Sequence, residues 1–183
     1  MTVRLSLSVQ YEAAAPQLPR WRLRRWVQRA IDTAAARNTN NTSPRAKSHG
    51  IRAATLTLRL VAAKEGRELN RQFRGRDYAT NVLTFEYGID ANGSLGGDIV
   101  LCMPVLRREA REQHKTLRDH AAHLTVHGVL HAVGYDHIRR HEATEMESLE
   151  ILILEKLGIN NPYQEQQGGD STNLRRVNSR KKA

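Results

Sequence analysis

The sequence predicts an α+β fold, a small mixed sheet of about four strands covered by helices, with a metal-binding helix in the C-terminal half. Three observations predict it. Several short segments alternate apolar and polar residues, as half-buried strands do. Others repeat apolar residues every three or four positions, as amphipathic helices do. Strands and helices are interspersed up to Met103, and from Pro104 onward the pattern is helical alone.

Val3, Leu5, Leu7, Val9 and Tyr11 alternate with polar residues and predict a first strand. Pro16 and Pro19 interrupt it. Residues 20–36 read as a helix with an apolar stripe of Trp21, Leu23, Trp26, Val27, Ala30 and Ile31. Arg20, Arg22, Arg24, Arg25 and Arg29 crowd the same helix, a pattern that by itself means a solvated face. Residues 38–49 are polar without period and predict a flexible loop. A second strand follows over 54–62, then a short helix over 64–74. Residues 82–87 and 97–103 are β-rich and are joined by the turn residues Asp90, Asn92 and Gly93, so they are expected to pair as a hairpin-like unit. Helices are expected over 104–114, 117–133 and 141–157, the last stopped by Gly158 and Pro162. Thr116 and Asp119 form a candidate capping box at the start of the second of these. Residues 1–163 are therefore expected to form one domain, and 164–183 a disordered basic tail.

The chain has 183 residues and a net charge of +10. A domain of this size buries roughly 70% of its unfolded surface and needs no disulfide staples. Its single cysteine, Cys102, excludes an internal disulfide and a cysteine-based zinc cluster. The longest apolar runs are too short to span a bilayer, and the N-terminus has no apolar block like that of a signal peptide. A reducing, cytoplasmic location and no membrane partner are the expectation. The cationic excess favours an anionic partner, nucleic acid foremost.

Six of the eight histidines fall between His120 and His141. On a helix, residues four apart share a face, so His127 and His131 bring two imidazoles to one ion. Gly134 stands where a helix would end in the left-handed conformation, and that reversal returns His137 to the same point. His123/His127 and His137/His141 share the spacing, but only His127/His131 is followed by a chain reversal and a third histidine. Three imidazoles leave a fourth position open, the pattern of a catalytic zinc site. Asp136 is either an acceptor that orients an imidazole or a turn residue. Zinc proteases of the H-E-x-x-H type take their base from the position after the first histidine. Here that position is Gly128, which argues against a peptidase, and no other protein base is evident.

A second dense patch holds Arg71, Arg74 and Arg76 with Phe73 and Tyr78 interleaved. The guanidinium fork suits phosphate, and an aromatic ring can stack an unpaired base. The plainer reading is a solvated helix end with Phe73 in the core.

Together these residues resemble the YbeY family of metal-dependent endoribonucleases. Its signature, H-G-x-L-H-x-x-G-Y-D-H, stands complete from His127 through Gly128, Leu130, His131, Gly134, Tyr135 and Asp136 to His137. A second family block matches Leu69, Asn70, Phe73, Arg74, Asp77 and then Thr80 through Phe85; Gly97-Asp98-Ile99 and Glu145-Met146-Glu147 match two more. The resemblance implies one Zn2+ ion on His127, His131 and His137, and functional roles for Arg74 and His127. It implies single-strand-specific cleavage in late 3′-end maturation of 16S rRNA, and ribosome quality control with the ribosome or small-subunit ribosomal proteins as partners. Arg71, Arg74 and Arg76 are the candidate RNA contacts. Nickel or copper would also suit three imidazoles. The rivals are a metallohydrolase of another substrate class and a non-catalytic ribosome-assembly factor whose zinc is structural, with His123 or His141 as fourth ligand.

Overall fold

The computed structural model describes residues 2–38, 50–137 and 139–164. Four strands form one mixed sheet: β1 (Arg4–Tyr11), β2 (Ala53–Val61), β3 (Val82–Ile89) and β4 (Ser94–Cys102), in the order β1-β2-β4-β3. β1 and β4 both run parallel to β2, and β3 pairs antiparallel with β4. The hairpin-like unit expected from Asp90, Asn92 and Gly93 is present. Asp90 Oδ1 accepts from the Asn92 and Ser94 amides and closes the turn. β4 begins earlier than its sequence suggests, because Ser94 pairs with Ala53 and Leu95 and Gly96 are held by ladders on both sides.

Among the described residues five helices accompany the sheet: α1 (Arg20–Asn38), α2 (Ala63–Arg74), α3 (Met103–Glu112), α4 (Leu117–Val133) and α5 (Arg140–Lys156). Asn38, expected to open a loop, closes α1 instead; 39–49 and the tail 165–183 lie outside the described residues. Strand alternation separates two cores. Ala54, Leu56, Leu58 and Leu60 of β2, with Leu95, Ile99 and Leu101 of β4, face α1, α4 and α5. Val61, Leu83, Val100 and Cys102 face the other way, onto Leu69 of α2 and Val105 at the start of α3.

The arginines of α1 are not one solvated face. β1 is an edge strand, and an open edge invites pairing with another chain. Residues one helical turn apart cover it: Gln28 donates to the Val3 carbonyl, Arg24 to Leu5 and Arg20 to Val9. Asp32 accepts the Val3 amide. These side chains satisfy β1 groups that no strand pairs.

α4 is the central helix. Its side chains are buried on nearly every side, with α1, α3 and α5 around it and the sheet beneath. Gly128 permits this approach. A Cβ at that position would lie 2.8 Å from Ile99 Cγ2 and 3.2 Å from Thr84 Oγ1, closer than carbon atoms pack. The glycine that excludes a zinc-protease base is thus required by the contact between helix and sheet. At the N-terminus, Thr116 Oγ1 accepts the Asp119 amide, but the Asp119 carboxylate turns to Arg118, so the box expected there is half formed. His120, at the same end, is buried and joins Glu109 of α3, which in turn holds Asn81 before β3.

Candidate metal centre

Three features bring His127, His131 and His137 together. α4 places the first two one above the other. Gly134 caps the helix at φ 101°, in the left-handed region, and its amide and that of Tyr135 bond back to the His131 and Leu130 carbonyls. Asp136 Oδ1 then accepts the His137 amide at 2.7 Å. Of the two roles open to Asp136, this is the turn role.

The result is a compact set of donors. One ligand atom from each of the three histidines lies within 4.8 Å of the others, a group that could hold a metal ion. Nε2 of His127 and Nε2 of His131 are 3.1 Å apart. Two ligands of a tetrahedral zinc, with bonds of about 2.0–2.1 Å, would stand about 3.3 Å apart. His137 is exposed and His127 and His131 are half-buried, so the cluster opens to solvent on one side. Neither His123 nor His141 joins this group among the described residues.

Glu150 of α5 supplies what the sequence did not reveal. Its carboxylate is fully buried and receives His127 Nδ1 at 2.7 Å on one oxygen. The other oxygen accepts from the Tyr163 hydroxyl and faces His123 Nε2 at 3.3 Å. Burial raises the pKa of Glu150, but the hydrogen bonds from His123, His127 and Tyr163 outweigh it and bring it to about 2. The carboxylate is therefore ionised and can only accept. His127 Nδ1 must then carry the hydrogen, and in the neutral ring Nε2 is left with its lone pair facing His131. This arrangement fits a metal ion. His131 fits as well: burial first, then His127 and His137, bring its pKa down to about 4, so it is neutral at pH 7, the form that ligates metal.

The second patch is divided. Arg74 lies in the last turn of α2; burial, then Asp136, raise the pKa of Glu86, and the charge of Arg74 offsets this only in part. Glu86 Oε1 is 4.0 Å from His131 Nδ1, so Glu86 stands at the rim of the histidine cluster, and Arg74 reaches it only through its field. Arg76 instead donates to the Tyr78 hydroxyl, and Arg71 adds its field to the Arg67–Asp77 ion pair. Phe73 is not in the core. It is 56% exposed and meets Phe85 edge-to-face at 4.9 Å.

Sequence reasoning missed Glu150, Tyr163 and Glu86. A signal existed for Glu150 alone: it is the single acid between Leu149 and the apolar run 151–154, on the face that α5 buries. A carboxylate there needs a partner.

The chain matches the family described as Endoribonuclease YbeY over residues 8–158. It is 61% identical to Endoribonuclease YbeY of Bordetella parapertussis over 164 residues, which is 89% of this chain and 98% of the relative. It is 49% identical to the protein of the same name from a Janthinobacterium species over 163 residues, 87% of this chain and 95% of the relative. The solution structure of TM1509 from Thermotoga maritima superposes with a TM-score of 0.54 at 20% identity, covering 90% of this chain and all of that one, and shows that the fold is shared.

Proposed function

The chain belongs to the YbeY family of endoribonucleases, and from that membership we propose that it is a single-strand-specific, zinc-dependent endoribonuclease acting in late 3′-end maturation of 16S rRNA and in ribosome quality control. The observation that carries the metal dependence is the convergence of three imidazole donors within 4.8 Å on a solvent-facing site. Ribosomes or small-subunit ribosomal proteins are its proposed partners, in the cytoplasm. Among the described residues no helix is long and apolar enough to cross a membrane.

His127, His131 and His137 would hold the ion. When bound, it supplies Lewis acidity toward a phosphoryl oxygen and acidifies a water molecule. Arg74 binds a nonbridging oxygen of the scissile phosphate through its planar fork. Arg71, on the last turn of α2, and Arg76, just past its glycine cap, hold the strand on either side, and the exposed rings of Phe73 and Tyr78 offer stacking surfaces for unpaired bases. Glu150 is a positioning residue: it keeps the hydrogen of His127 on Nδ1 and so leaves Nε2 free to ligate.

Metal analysis paired with RNA cleavage tests this reading. The purified chain should contain about one ion per molecule, lose cleavage of single-stranded RNA in chelator and recover it when zinc is returned. A metal-free chain that cuts RNA at the original rate would refute the metal part.

A further inference from the structure

α1 carries more cationic charge than the fold uses. Arg20 and Arg24 cover the β1 edge. Arg25 and Arg29 do not: both are exposed, and neither has a hydrogen-bond or carboxylate partner among the described residues. They continue a line that begins at Trp21, each step being four residues and about 6 Å along the helix. Trp21 is 60% exposed, the indole of a residue type that folds normally bury, and the Arg22 guanidinium lies 5.0 Å from its ring centroid. The helix has one carboxylate, Asp32, and the Val3 amide and Gln28 occupy it. Toward its far end, Asp32 meets Val3 at the start of β1, and β1, β2 and β4 run parallel, so this is the end of the sheet near which Gly97 of β4 approaches Ala132 of α4, next to His131. The C-terminal end of α1 therefore lies toward the end of α4 that carries the histidine cluster, with Trp21 about 24 Å along the helix from Arg37.

We infer that the outer face of α1, made by Trp21, Arg25 and Arg29, is a second RNA-binding surface that holds single-stranded RNA extending beyond the cleavage site. The inference rests on the endoribonuclease reading. Unpaired cations at a spacing near the phosphate repeat of an extended strand complement a polyanion, and an exposed indole stacks a base whatever its identity. The surface occupies the first half of α1, away from the end that lies toward the cluster, so it holds long RNA and leaves very short RNA untouched.

The test compares the full chain with R25E/R29E, R25Q/R29Q and W21A variants, on single-stranded RNAs of about 4 and about 24 nucleotides. With the cut near its middle the shorter strand extends only about 12 Å from the cluster, short of the about 24 Å of α1 between Arg37 and Trp21, and the longer strand spans it. Binding of the longer RNA is measured in chelator across a salt series, and cleavage of the shorter RNA with metal present. The charge reversal should weaken binding of the long RNA by at least about tenfold. The neutral pair should reduce the logarithmic salt slope by about 1.4, two contacts at roughly 0.7 each. W21A should weaken binding of the long RNA with no change in slope. Cleavage of the short RNA and the melting temperature should not move. Long-RNA binding unchanged in affinity and slope would overturn the inference, and so would equal losses on both RNAs. Failure of the parent chain to cleave the short RNA would instead bring down the endoribonuclease reading on which the inference stands.

Discussion

α4 and α5 are both 17 residues long and both reach His127, but they contribute to the site in opposite ways. α4 presents His127 and His131 from consecutive turns, and its own cap returns His137. α5 presents one carboxylate, Glu150, 23 residues beyond His127 in sequence. The first contribution is local and follows from helical spacing. The second exists only because the two helices pack together. Periodicity thus brings candidate ligands together, while tertiary contact orients them.

Removing a ligand from α4 should have the largest effect. His131→Ala should lower metal affinity and RNA cleavage together by more than about 100-fold, above the 10–100-fold range that orienting partners cost. Metal titration and a cleavage assay on the same preparation check this. Metal binding that persists at full affinity would mean that α4 does not supply the ligands.

Glu150→Gln tests α5. It keeps the shape but removes the ionised acceptor, and should cost about 10–100-fold in metal affinity with the fold intact. Competition against a chromophoric chelator measures it. An unchanged affinity would show that the tertiary contact does not orient His127. Tyr163→Phe removes one donor to the same carboxylate and should cost less than Glu150→Gln in the same assay.

Gly128→Ala separates packing from chemistry. Its Cβ would meet Ile99 at 2.8 Å, so α4 must shift, at a cost of about 1–3 kcal/mol. Thermal unfolding of the metal-free chain should show the loss.

Acid should act through both helices. The pKa of His131 is lowered to about 4, so between that value and the ordinary histidine range the unfolded state binds more protons and folding is favoured as pH rises. The stability of the metal-free chain should therefore fall as pH drops from about 6.5 toward 4. Glu150, lowered to about 2, adds a second loss below about 4.5, as its hydrogen-bonded carboxylate is protonated. His131→Ala should flatten the first window and Glu150→Gln the second in urea titrations across pH.

Much of the fold was legible because its periods are strict. The alternation of β1 and β2 and the stripe of α1 gave those elements to within a residue or two. The sequence pattern opens β4 only at Gly97, because Ser94 and Gly96 look like turn residues; the ladders reveal them as strand. The α1 arginines read as one group, since nothing local distinguishes Arg24, bonded to the Leu5 carbonyl, from Arg25, which faces solvent. In the site, the three histidines and Gly134 were visible from spacing and turn chemistry. Glu86 and Tyr163 were not, because their positions depend on how β3 and the segment after α5 meet α4.

The proposed site holds one ion on three imidazoles and leaves its remaining position open to water and RNA. X-ray absorption at the zinc edge of the loaded full chain tests it most directly. Three nitrogen donors at about 2.0–2.1 Å and one oxygen donor replaceable by a phosphate ester are expected. Four nitrogen donors with no exchangeable position would contradict it.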